Sequence, residues 1–153
     1  NTGWLSPFAF GAEVRRFFEG PIALAGGIAN GRALAALEVL GADLGYLGTP
    51  FIATEESLAP PDHPRGVLET DADGEVLRDA VTGIPANFQR ENLVELGVLD
   101  DRGRVLDRSG SAEMATWKSA WSLGQGCGAV SAVRPAAEVI ADLAAEWRAA
   151  RRP

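Results

Sequence analysis

The chain has 153 residues, 46% hydrophobic and 23% charged, with a formal net charge of −7. That is enough for one ordinary domain with a core; no apolar run reaches the length of a membrane span, and acidic residues spread along the chain argue against a nucleic-acid partner, whose phosphates require clustered Lys and Arg. One cysteine, Cys127, can form no intrachain disulfide and one histidine, His63, can build no zinc constellation, so no metal site and a reducing, cytoplasmic setting are expected. The basic tail Arg148, Arg151 and Arg152 is too short to reverse the charge argument. The chain opens on Asn1 with neither methionine nor a charged n-region, so no signal peptide is visible and the start is expected to be missing.

In chain order, Ser6-Pro7 begins a helix, since serine caps free N–H groups and proline is tolerated in the first turn. Phe10, Val14, Phe17 and Phe18 recur at helical spacing until Gly20-Pro21 stops the run. Residues Pro21 to Ala25 are continuously apolar, as expected of a strand covered on both faces of a parallel sheet. Asn30 caps a second helix with Ala33, Leu34, Leu37 and Leu40 on one face and Gly41 at its close. Asp43 to Leu47 reads as a second strand, and Phe51 to Ser57 as a helix. Helix, strand, helix, strand, helix with short connections implies parallel strands joined by helical crossovers, an α/β arrangement.

From Leu58 the texture changes. The prolines of LAPPDHPRG predict a loop, Asp73-Gly74 a turn entering a strand that runs through Val81, and residues 98 to 112 an exposed loop. Trp117 to Leu123 reads as a short helix, and Pro135 to Arg148 as a longer one with Val139, Ile140, Leu143 and Trp147 on one face. Two parallel strands cannot close a core, and a full eight-stranded barrel takes about 250 residues. The chain therefore reads as the C-terminal part of such a barrel, or as a small three-layer domain in which the later hairpin joins the sheet.

Two glycine-bearing turns carry the functional reading. AGGIANG (25–31) and GYLGT (45–49) each follow an apolar strand and precede a helix. Glycine after a parallel strand lets backbone N–H groups converge on a ligand, and a following helix N-terminus favours an anion. Gly26-Gly27 and Gly48-Thr49 are thus candidate phosphate cradles, the second with a hydroxyl donor. Taken singly, either pair is explained as a tight turn, and no G-x-G-x-x-G fingerprint is present.

Through NTGWLSPFAF, PIALAGGIANGRALAALEVLGADLGYLGTPFIATEES, VTGIPAN and WSLGQG the sequence resembles the nitronate monooxygenase (2-nitropropane dioxygenase) family. The resemblance implies an FMN-dependent enzyme and a partial TIM (β/α)8 barrel: C-terminal βα units with the phosphate site over residues 1–57, and a C-terminal α/β extension with the last helix over 58–153. Carried over, FMN phosphate contacts fall on Gly26, Gly27, Tyr46, Leu47, Gly48 and Thr49, and Gln125 faces the substrate pocket. Asn1 stands where the family has a histidine base. An amide has no titratable proton near neutral pH, so it can hold a nitro group or nitronate but cannot remove an α-proton. Alkyl nitronates, already deprotonated, and oxygen are therefore the implied reactants. A flavin enoyl-thioester reductase and a non-catalytic phosphate-ligand module are the alternatives.

Other residues have plainer readings. Trp4, Trp117 and Trp121 suit packing more than a substrate wall. Asn87 suits a turn end, and Cys127, between glycines and without a basic neighbour, suits a small buried residue. His63 is expected to be exposed and Lys118 to be a surface charge. Asp71, Asp73 and Gly74 lack the further ligands of a calcium loop. Glu55-Glu56, near the start of a short helix, suits its dipole rather than acid–base work.

Overall fold

The computed structural model describes residues 5–106 and 119–151. The elements are α1 (Pro7–Arg15), β1 (Ala23–Ala25), α2 (Gly31–Val39), β2 (Leu44–Tyr46), α3 (Thr49–Ile52), α4 (Asp62–Glu69), β3 (Glu75–Arg78), β4 (Ala86–Gln89), α5 (Arg90–Glu95) and α6 (Ala136–Ala150), with a 3-10 turn at Cys127–Ala129. The class is α/β, as the alternation of elements predicts. Among the described residues no helix is long and apolar enough to cross a membrane.

β1 and β2 pair in parallel, Ala23 opposite Leu44 and Ala25 opposite Tyr46. Their inner face carries Leu24, which joins Ile22, Ile28, Leu37 and Ala42 in one buried cluster, with Val14 of α1 packed against it. The other face is bare: Ala23, Ala25, Leu44 and Tyr46 are exposed. The expectation of a strand covered on both faces is therefore met on one face only, because helices α1 and α2 both lie on the same side. Helix α1 also ends earlier than the aromatic spacing suggests, leaving Phe17 and Phe18 beyond its end and exposed. Arg15, in its last turn, anchors that end. The guanidinium donates to the carbonyl oxygens of Phe18, Gly20 and Gly41 and to the Asp43 carboxylate, tying the end of α1 to the starts of both strands.

The later hairpin does not join this sheet. β3 and β4 form their own antiparallel pair, Glu75 opposite Gln89 and Arg78 opposite Ala86, above a second cluster of Val81, Phe88, Leu93, Val98, Leu99 and Ala120. This removes the three-layer alternative. Burial of side chains such as Phe88 and Leu93 contributes about 1.5–3 kcal/mol each, so this half carries a core of its own.

Several local expectations change here for identifiable reasons. The proline-rich loop contains α4: Pro61 sits at its N-cap and Pro64 in its first turn, where a missing N–H costs nothing. Thr70 closes α4 by donating to the Gly66 carbonyl at 2.6 Å. The strand predicted to reach Val81 stops at Arg78, and Asn87, read as a turn end, is a buried β4 residue bonded to Glu75. Val98 and Leu99 are fully buried, so the predicted exposed loop over 98–112 begins in the core. Residues 119 and 120 form a turn and bend, and 121–123 run alongside β4 rather than as a helix, with Ser122 bridged to Phe88. Helix α3 covers Thr49–Ile52 rather than Phe51 to Ser57, so Glu55 and Glu56 lie past its end. Glu56 instead accepts from the Ala136 N–H at the start of α6, 2.9 Å away.

His63 is half-buried rather than exposed. Its ring stacks on Trp121 at 4.9 Å between centroids, and Nε2 donates to the Ser122 carbonyl at 2.9 Å. Cys127 is buried as expected, and burial together with the Glu75 charge raises its thiol pKa. The Asp71 carboxylate accepts the Asp73 and Gly74 N–H groups at 3.0 Å, which makes the predicted turn.

α6 lies across α2, and the two meet at Gly31. A Cβ there would stand 2.3 Å from the Leu143 carbonyl and 2.4 Å from the Trp147 nitrogen, both rigid backbone atoms. Gly31→Ala should therefore lower the unfolding free energy by about 2–3 kcal/mol in urea titrations. Gly48→Ala, where no atom lies within 4 Å of the added methyl, should stay within about 0.5 kcal/mol.

A second expectation concerns pH. Burial lowers the His63 pKa from its ordinary 6.5, opposed by the bond to Ser122. The unfolded chain then binds the proton more readily, so the stabilisation is complete above that value and is lost as pH falls through the folded pKa. His63→Phe, which keeps the stacked ring, should show a smaller drop in melting temperature than the native chain between about pH 7 and about pH 5.

Candidate functional site

Parallel pairing carries β1 and β2 to the same edge of the sheet, so the segments that follow them emerge side by side. After β1 come Gly26 and Gly27 with φ of 108° and 68°, the left-handed region in which a side chain is strained. After β2 come Leu47, packed into the inner cluster, and Gly48, which opens α3 with no side-chain cap. Gly48 has an ordinary φ of −118°, so its glycine is not required by backbone strain. The space where its Cβ would stand is open.

A third segment meets these two turns. Residues 121–123 run antiparallel to β4, with Gln89 N–H donating to the Trp121 carbonyl at 3.0 Å and Leu123 N–H to the Asn87 carbonyl at 3.2 Å. That alignment delivers Gly124, Gln125 and Gly126 to the turns. Gly124 N–H donates to the Thr49 hydroxyl at 2.8 Å. A Cβ on Gly27 would lie 3.9 Å from the Gln125 Oε1, and one on Gly126 would collide with the Ala29 Cβ at 2.6 Å. Gly26, Gly27, Gly48, Thr49 and Gln125, separated by up to about a hundred positions, thus share one neighbourhood.

Chemically this neighbourhood suits an anion held by backbone. The Thr49 oxygen accepts from Gly124, which leaves its O–H to donate outward. No Lys or Arg belongs to either turn. The end of α2 contributes less than its sequence position suggests. Asn30 caps it by accepting from Ala33 N–H at 2.9 Å, and the Gly31 N–H is taken by the Glu146 carboxylate at 2.7 Å. The anion position at that helix end is filled by the protein's own carboxylate.

Tyr46 is exposed on the bare sheet face beside the site. Asn87 and His63 lie elsewhere, in the β4 and α4 region. Asn1, Trp4, Trp117 and Lys118 lie outside the described residues. A cavity of about 350 Å³ opens behind the turns, lined by Ala29, Asn30, Pro50, Arg134, Asp142 and Glu146 among others. Its two carboxylates, with Arg134 bound to Asp142 at 2.6 Å, suit an anion poorly. Sequence reasoning passed over Gly124 and Glu146. The first is one glycine among many, and the second sits on an exposed helix 115 positions from its partner.

Comparison with known proteins finds relatives over most of the chain. A nitronate monooxygenase of Paraburkholderia phytofirmans is 29% identical over 140 residues, covering 84% of this chain and 38% of that protein. FabK from Thermotoga maritima superposes with a TM-score of 0.73 at 26% identity, over 96% of this chain and 50% of that one. Nitroalkane oxidase from Streptomyces ansochromogenes gives a TM-score of 0.70 at 28% identity, over 96% and 45%. The chain spans half or less of the length of each of these proteins. The family model for nitronate monooxygenase matches residues 5–146, and the chain belongs to that family.

Proposed function

We propose that this chain is the phosphate-binding part of an FMN-dependent enzyme that oxidises alkyl nitronates. The observation that carries the proposal is the meeting of the Gly26-Gly27 and Gly48-Thr49 turns at one end of the parallel pair, with open space at Gly48 where a Cβ would intrude on a ligand. Phosphate oxygens would take backbone N–H groups of both turns and the Thr49 hydroxyl, while Tyr46 and Leu47 set the approach from β2. The redox chemistry of nitronate oxidation by dioxygen would be supplied by FMN held at these turns. Gln125, whose Oε1 lies beside Gly27, would donate its amide N–H to a nitro oxygen. Asn1 has no basic group, so substrate must arrive deprotonated, which favours nitronates over neutral nitroalkanes.

The bare face of β1 and β2 supports a partial TIM barrel, because the inner face of a barrel strand is covered by side chains from the other strands. Its exposed Ala23, Ala25, Leu44 and Tyr46 then belong to a barrel interior completed by further strands. The similarity to FabK favours one second reading, a flavin enoyl-thioester reductase on the same scaffold.

The two readings separate in an anaerobic titration of the full-length protein that carries this chain. Flavin absorbance that bleaches with an alkyl nitronate, and not with a nicotinamide or the parent nitroalkane, is the expected result. Bleaching by nicotinamide alone would replace it with the reductase, and absence of flavin would sink both. Gly48→Ala should weaken FMN binding by about tenfold or more while leaving riboflavin binding and the melting temperature nearly unchanged, since the methyl meets only the phosphate.

A further inference from the structure

We propose that Glu146 is a positioning residue for the phosphate turn, acting through the backbone of α2; the inference rests on the FMN reading above. Gly26 and Gly27 have positive φ and no side chains, so the turn is conformationally permissive and must be held by what flanks it. On one side the β1–β2 register holds it. On the other side lies the start of α2, where the Glu146 carboxylate accepts the Gly31 N–H at 2.7 Å. The bond is specific to that place. Gly31 lies against the backbone of Leu143 and Trp147, which leaves the Glu146 side chain to turn back onto the first N–H of the helix.

Among the described residues, the other side-chain hydrogen bond and ion pair between α6 and α2 lie toward the other end. Trp147 Nε1 donates to Glu38 Oε1 at 2.9 Å, and Arg151 pairs with Glu38 Oε2 at 3.0 Å while stacking over Trp147. The helix pair thus has two separate ties. The Glu38 tie holds the helices together near the end of α2. The Glu146 tie fixes where α2 begins, and with it the end of the glycine turn. A turn held in its binding geometry loses less entropy when phosphate arrives. The carboxylate also carries a charge that repels phosphate, so its value lies in the hydrogen bond and not in its charge.

The test measures FMN and riboflavin dissociation constants on the full-length protein, since riboflavin lacks the phosphate and reports everything else. Glu146→Ala should weaken FMN by about three- to tenfold, the range for one lost hydrogen bond, with riboflavin unchanged. Glu146→Gln keeps an acceptor oxygen and should bind FMN at least as tightly as the native protein. Glu38→Gln should leave the FMN-to-riboflavin ratio unaltered. Equal losses for both ligands in Glu146→Ala, or no loss for FMN, would overturn the positioning role while the FMN reading stands. A native protein that binds no FMN would overturn both.

Discussion

The parallel pairing of β1 and β2 is the constraint from which the rest follows. Two strands running in the same direction must be joined by a crossover, and α2 supplies it. Their chain reversals then leave from one edge. The register, Ala25 opposite Tyr46, sets Gly26 and Gly48 within a residue or two of the same level. An antiparallel pairing would have put the two turns at opposite ends. The strands are only three residues long, so the arrangement depends on Leu24 packing with Leu37 and on Arg15 closing the strand starts.

The second half of the chain works as a buttress for these turns. Its hairpin has its own core and aligns residues 121–123, which bring Gly124 and Gln125 to Thr49 and Gly27. Arg134 bridges Thr54 in a short parallel contact, and Glu56 accepts the first N–H of α6. Helix α6 then returns to α2 at Gly31. Among the described residues the strands pair with nothing in this half, yet both turns are contacted by it. A large share of the fold is therefore spent on orienting a few backbone groups.

Electrostatics in the site come from dipoles more than from charges. The chain carries −7 overall, the turns contain no cation, and the cavity behind them holds acidic groups. On the reading proposed above, an anion would be held there by N–H groups and the Thr49 hydroxyl rather than by a cation. The acidic surroundings discourage loose binding of phosphates elsewhere on the surface.

The start of α1, the strands β1 and β2, helix α2 and the glycine turns were legible in the sequence because their signals are local: the Ser6 and Asn30 caps, the apolar strand runs, and glycines at strand ends. So was α6, whose apolar spacing needs no partner to be recognised. The helices at Asp62 and Arg90, the buried Val98 and Leu99, and the strand-like course of residues 121–123 were not legible. Each is decided by burial against, or pairing with, segments distant in sequence, and prolines and polar residues mask them locally. Sequence alone determined that two glycine-bearing turns would each follow a strand and precede a helix. Only tertiary structure decided that Gly124 would close on Thr49 and that Glu146 would take the end of α2, because those bonds join residues 75 and 115 positions apart whose types carry no local sign of the pairing.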